Sequence, residues 1–316
     1  MRRYGPRGRE ISAGCAIAAS LLGTQSTGVV MTWIARIATA AVAAGVLAWP
    51  MLMSEAALAQ APSELTNSKI EFAYFPPKTV KYQATIERLK SRQVLESLSQ
   101  FLSPLRLPHK LFLVTIECGN NPSPRYVPSN SAILLCYEFN EILDRLAPKQ
   151  GQPSQGFSHD EVVVGSFVGV VLHEAGHAVF DMLDVPVFGR EEDAADEMAS
   201  FIALQFSKDV ARTVTRGYAY FWSVLGNPKE WSQYSDEHGT SSQRFYNTLC
   251  LGYGGDPQTF KEFVDKGWLP KERAANCAAE YQQIKLAFEK TILPYIDVNL
   301  MKQVQAKDWL KAPGKK

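Results

Sequence analysis

The sequence predicts an α+β fold in which a small mixed sheet precedes one long buried helix and a mostly helical half follows it. Three observations carry this. Short apolar stretches bounded by Pro, Asn and Ser fall before residue 136, as strands do. A proline-free apolar run from Val162 to Leu183 is too long for an ordinary strand and fits a mostly buried helix. Beyond Arg190, Leu, Met, Phe, Ile and Ala recur at helical spacing.

The elements follow in order. Residues 60–68 read as a polar linker. Ile70–Tyr74 alternates and reads as a strand, stopped by Pro76 and Pro77. Residues 85–102 place Ile86, Leu89, Val94, Leu95, Leu98 and Phe101 on one face, which predicts a single amphipathic helix. Leu111–Ile116 reads as a strand, 119–130 as a loop rich in Asn, Pro and Ser, and 131–135 as another strand running into a helix over Tyr137–Leu146. The Pro-, Gly- and Gln-rich residues 147–158 form a connector. Ser158 is the expected N-cap of the long helix, with Glu161 at capping-box spacing. Further helices are expected over 190–206, 211–225, 243–251, 257–266 and 270–292, with a frayed tail beyond Trp309.

Two of the chain's five histidines, His173 and His177, sit inside the apolar run. Positions i and i+4 share a helix face, so their rings aim at one point and make half of a tetrahedral zinc site. Two imidazoles facing each other in a dry core without a metal would leave polar nitrogens unsatisfied. Glu174 projects about 100° around the helix from His173. It is badly placed to ligate on that turn and well placed to hold a water as general base, the His-Glu-x-x-His arrangement.

A hydrolytic zinc site needs a third protein ligand and an open fourth position. Pro186 and Gly189 reverse the chain, and the next helix opens with Glu191, Glu192, Asp193, Asp196 and Glu197. One or two of these would serve the helix dipole. Glu192 and Asp196 share a face as E-x-x-A-D. Glu192 is the expected ligand, and Asp196 the acceptor for the free N–H of a ligating histidine. Glu191, Asp193 and Asp196 are the alternatives for the ligand. Ala194 and Ala195 would let the two helices approach closely.

HEAGH followed by E-x-x-A-D resembles the zincin metallopeptidases, and within them the glutamate-ligand group that includes thermolysin and the integral-membrane prenyl-protein proteases. The spacing from His177 to Glu192 is 15 residues, shorter than in thermolysin. More closely, HEAGHAVFDMLDVPVFGREEDAADEMA with SDEHGTSSQRFYNTLCLGYGGDP is similar to a family of bacterial exported metallopeptidases, over residues 69–284. The resemblance implies a zincin-like domain over 69–310, Zn²⁺ as cofactor and a protein or peptide substrate. It also implies a downstream histidine that donates to the tetrahedral oxyanion. His238 fits that part, with Asp236 or Glu237 orienting its ring, and Arg244 or Tyr246 are alternatives. Asp, Glu, His and Gly are equally at home in a solvated turn. In that resemblance the strand nearest the cleft pairs with an extended substrate, and 131–135 is the candidate. His109 and His159 read as surface or capping residues.

The chain has 316 residues and a net charge of +1, which argues against a nucleic-acid partner. Residues 1–59 read as a targeting segment: Arg36, an Ala/Val/Leu-rich stretch over 37–53, then Ala57-Leu58-Ala59 as a cleavage signature. Translation could start at Met31, and the alternative is an uncleaved membrane anchor over 33–53. Export to the periplasm or beyond is therefore expected, with membrane contact only through this segment. Four cysteines remain after it, and proximity favours the pairs Cys118–Cys136 and Cys250–Cys277. Residues 311–316 are a tail. Two other readings fit the same residues: a metal-binding envelope protein without proteolysis, and a zinc hydrolase acting on a non-protein amide.

Overall fold

The computed structural model describes residues 69–307 and 309, apart from 155, 228, 229 and 231–233. The expected targeting segment 1–59, the linker 60–68 and the tail 311–316 lie outside the described residues.

Four strands form one mixed sheet: β1 (Ile70–Tyr74), β2 (Leu111–Ile116), β3 (Arg125–Val127) and β4 (Ala132–Cys136), in the order β1-β2-β4-β3. β1 and β4 run parallel to β2, with Ile70 opposite Leu111 and Phe112 opposite Ala132. β3 is antiparallel to β4, with Tyr126 opposite Ile133. Parallel strands need a crossover, and α1 (Gln83–Ser91) and α2 (Val94–Leu102) supply the one between β1 and β2. The alternating residues Leu111, Leu113, Ile133 and Leu135 are fully buried in the main core beside Leu95, Leu98 and Leu102 of α2.

Two expectations for this half are corrected. The helix expected over 85–102 is two helices, because Gln93 takes a left-handed conformation with φ of 51°. Residues 119–130, expected to be a loop, contain β3 and a short 3₁₀ turn at Pro128–Asn130. Three residues are too few for period-two alternation to register, and the flanking prolines mask them. As a result β4 is an interior strand, and β3 is the sheet edge beside the histidine helix. The strand over 131–135, expected at the sheet edge, is thus an interior one.

After α3 (Tyr137–Leu146) the chain is helical: α4 (His159–Met182), α5 (Glu191–Ala203), α6 (Lys208–Leu225), α7 (Ser241–Gly255), the single turn α8 (Glu262–Asp265), α9 (Lys271–Thr291) and α10 (Val298–Gln305). The expected α+β class, a small mixed sheet followed by a mostly helical half, is what the chain forms. The helix expected over 257–266 shrinks to the four residues of α8.

α4 organises the whole. It begins with the capping box of Ser158 and Glu161. Arg216 of α6 clamps that end: it pairs with Glu161, donates to Gly156 O at 2.6 Å and reaches Glu262 Oε1 at 2.6 Å. α4 is long and apolar enough to cross a membrane, yet most of it is buried among the sheet, α5 and α6. α6 crosses it almost backbone to backbone. A Cβ on Gly165 would lie 2.1 Å from Thr213 O, and one on Gly217 would lie 2.7 Å from Gly165 Cα. Cys118 and Cys136 at the ends of β2 and β4 are at disulfide distance, as are Cys250 of α7 and Cys277 of α9.

Candidate metal centre

The centre lies where the second half of α4 meets the first turn of α5. His173 and His177 project from one face of α4, and both rings are buried. Their Nε2 atoms are 3.2 Å apart. Glu192, in the first turn of α5, brings Oε2 to 3.1 Å from each of them. Close approach of the helices makes this reach possible. A Cβ on Gly176 would lie 3.2 Å from Ala195 Cα, and Ala195 is fully buried. Gly176 is one of the two unspecified positions of the motif, and nothing in the spacing alone marks it as the contact.

Each histidine is held from behind by a carboxylate. His173 Nδ1 is 2.9 Å from Asp196 Oδ1, and His177 Nδ1 is 2.6 Å from Glu191 Oε1. Such a contact fixes the tautomer and turns the Nε2 lone pair inward. Among the alternatives for the ligand, Glu191 is thus spent on a ring nitrogen and Asp193 on Arg190, at 2.6 Å. Asp196 is itself embedded. It accepts from Tyr218 OH at 2.6 Å and from Arg244 Nε and a terminal guanidinium nitrogen at 2.5 and 2.6 Å. The Arg244 guanidinium lies 3.5 Å over the Trp222 ring. Sequence reasoning found Asp196 and missed Glu191, Tyr218 and Trp222 as supports. They are contributed by packing between α5, α6 and α7, which no spacing within one helix encodes.

Glu174 is buried beside its histidine and turns toward the sheet. The Tyr126 N–H of β3 donates to its Oε2 at 2.6 Å. The Tyr126 phenol donates to Asp181 on the same helix at 2.8 Å. One residue of the edge strand therefore fastens the sheet to α4 at two points about two turns apart.

His238 comes from the exposed turn between α6 and α7. Its Nε2 is 2.9 Å from Glu192 Oε2, and its Nδ1 is 2.7 Å from Asp236 Oδ1. Arg244 is occupied as described, and Tyr246 lies partly exposed against Phe245. His109 sits at the surface near Ser131, and His159 at the start of α4 near Asp160.

The charges agree with a cation site. Burial alone would drive His173 down, but Asp196 and Glu192 hold it up at about 9. Burial would raise Glu192, yet contacts with His173, His177 and His238 hold it far below the usual carboxylate range. Burial likewise opposes Asp196, and Arg244 and His173 keep it low. The Glu192 contact raises His238 against its burial. The donor set also fits zinc in size: bonds of about 2.0–2.2 Å give tetrahedral donor–donor edges of about 3.3–3.6 Å. The separations of 3.1–3.2 Å among His173, His177 and Glu192 fall within a few tenths of an ångström of that. Imidazole nitrogens with one carboxylate are an ordinary zinc set. The other group of potential ligands, Cys118, Cys136 and Glu138, is excluded by the sulfur–sulfur pairing.

No curated protein and no solved structure matches the chain. A family profile, DUF4344, described as "Putative metallopeptidase", matches residues 74–292. That span runs from the end of β1 to the end of α9, with the histidine helix near its middle. With well over half of its length inside the profile, the chain belongs to this metallopeptidase family.

Proposed function

We propose that the protein is a zinc-dependent peptidase of the zincin type, with zinc held by His173, His177 and Glu192 and with Glu174 as general base. The observation that supports this most is the meeting of the two Nε2 atoms with Glu192 Oε2 at 3.1 Å, one residue from a buried glutamate that does not join them. When bound, zinc would supply a Lewis acid that polarises the scissile carbonyl and acidifies the attacking water.

The chain's own residues do the rest. The Glu174 carboxylate takes the water's proton and passes it to the leaving amine nitrogen. Tyr126 N–H fixes the rotamer of that carboxylate. Asp196 and Glu191 keep the two ring tautomers that present Nε2 inward. His238, oriented by Asp236, donates Nε2–H to the developing oxyanion, a contact commonly worth about 3 kcal/mol. An extended peptide adds to β3, whose backbone at Tyr126 faces Glu174 and not β4. The substrate is thus a protein or peptide. The two cysteine pairs at disulfide distance favour an oxidising compartment, which fits a periplasmic or secreted enzyme.

Metal analysis of the purified protein tests the reading. Wild type should carry close to one zinc and His173→Ala almost none. Glu174→Gln should retain zinc and lose peptide hydrolysis by roughly a thousandfold or more. A Gln variant with full activity would remove Glu174 from the mechanism.

A further inference from the structure

We infer that β3 reads a bound peptide through the peptide's own N–H groups alone, because the outer edge of the strand offers carbonyls and no N–H to spare. The inference rests on the peptidase reading above and specifies how its substrate is held.

The register sets which groups face outward. In an antiparallel pair, successive residues turn their N–H and C=O alternately toward the partner strand and away from it. Tyr126 stands opposite Ile133, yet it gives its N–H to Glu174 and so turns away from β4. Arg125 and Val127 turn toward Leu134 and Ala132. With a period of two, the other outward residues are 124 and 128. Both are proline, since the chain reads Pro124-Arg125-Tyr126-Val127-Pro128. Proline has no N–H to give. The N–H of Tyr126, between them, is spent on Glu174 at 2.6 Å. The carbonyl of Pro128 already accepts from the Ser131 N–H at 3.2 Å. What the edge presents to a neighbour is thus the carbonyls of Pro124 and Tyr126.

Prolines on an edge strand also guard against pairing between copies of a chain. That service alone does not explain their place. The strand at the opposite edge of the sheet, β1, contains no proline. The two prolines instead flank the residue whose N–H meets Glu174.

An edge of this kind is selective. A peptide laid along β3 donates to Pro124 O and Tyr126 O from residues two apart, and β3 gives nothing back to its carbonyls. The strand therefore takes extended peptides that carry an N–H at both of those residues. Proline or an N-alkylated residue is refused there. The residue between them turns its N–H away from β3, and proline is accepted at that position.

The test reads peptide binding and not turnover. Zinc-loaded wild type is first given denatured casein, and a short peptide spanning one cleavage site is made with a fluorescent label. Its affinity is measured by anisotropy on zinc-loaded Glu174→Gln, whose amide oxygen still accepts the Tyr126 N–H. A single N-methyl group is then moved along the peptide, one residue at a time. Two positions, two residues apart, should each weaken binding roughly 10-fold, the scale of one lost hydrogen bond plus the added bulk. The position between them should change it by less than about 2-fold. Pro124→Ala, added to Glu174→Gln, should return a donor to the edge and tighten binding of the unmodified peptide several-fold. A profile without that alternation, or an unchanged affinity in the Pro124→Ala protein, would overturn the inference and leave the peptidase reading standing. Absence of any casein cleavage by wild type would overturn both.

Discussion

The two sides of the centre are built on opposite plans. On the α4–α5 side, every group that faces the centre is buried and is held by a residue from a different element: His173 by Asp196, His177 by Glu191, Glu174 by Tyr126. On the α6–α7 side, His238 is exposed and is held by its own turn. Supports from other elements over-determine position and cost conformational freedom. A support two residues away fixes orientation and lets the group travel. The first plan suits groups that keep one position, and the second suits a group that moves.

The largest effect outside the motif itself should come from breaking the cross-element support. Asp196 carries a buried charge on Arg244, Tyr218 and His173. Arg244→Met keeps an unbranched side chain in that buried place and removes the countercharge, together with the guanidinium's contact with Trp222. Stranding a buried carboxylate in this way costs about 3–5 kcal/mol, and thermal unfolding should show a drop in Tm of about 6–20 °C. Zinc affinity should fall as well, because Asp196 would then draw a proton and orient His173 less firmly. If Arg244→Met melts like wild type, the buried network is not what fixes this side.

How much of this was legible in the chain follows the same division. His173, Glu174 and His177 could be read because a helix converts spacing into a shared face, and Glu192 because E-x-x-A-D places it one face-width from Asp196. The long helix, its capping box and the strands Ile70–Tyr74 and Leu111–Ile116 could be read from periodicity and caps. The edge strand β3 could not, being three residues long between prolines. Glu191 could not be told from its neighbours as the partner of His177, since which face of an acidic first turn meets which ring is decided by the angle between two helices. Nor could the nearness of His238 to Glu192, because the path of a turn is set by what it packs on.

Gly176 probes that angle directly. An added methyl would come to 3.2 Å from Ala195 Cα and 3.3 Å from its Cβ. Both neighbours are buried and one is backbone, so the helices must part by a few tenths of an ångström. Overpacking of this kind costs about 1–3 kcal/mol, partly offset by the better helix propensity of Ala. Gly176→Ala should therefore lower stability by about 1 kcal/mol and weaken zinc binding several-fold, since Glu192 rides on the helix that moves. The equivalent change at Gly165 faces Thr213 O at 2.1 Å. It should cost more stability and spare zinc affinity, because that crossing carries no ligand. Unchanged zinc affinity in Gly176→Ala would mean that Glu192 reaches the centre by side-chain freedom and not by helix placement.

An effect that vanishes at low pH separates two neighbouring carboxylates on the rigid side. Asp196 has Arg244, and its pKa is held low. Glu197 is partly buried one residue on, and burial together with Asp193, Asp196 and Glu280 pushes its carboxyl up to about 7. In the unfolded chain it titrates near the ordinary value of 4.5. The folded protein thus holds a proton that the unfolded chain has lost between those two values. This contribution to stability is fully present below about pH 4.5 and disappears as pH rises through about 7. Glu197→Gln removes the charge at every pH. It should raise stability by about 1–2 kcal/mol at pH 8, after allowance for solvent screening, and by nothing measurable at pH 4.5. Melting curves at the two pH values give the answer. A gain at low pH or none at high pH would show that Glu197 is solvated well enough to ionise normally, and that α5 tolerates its acidic first two turns without a cation for each.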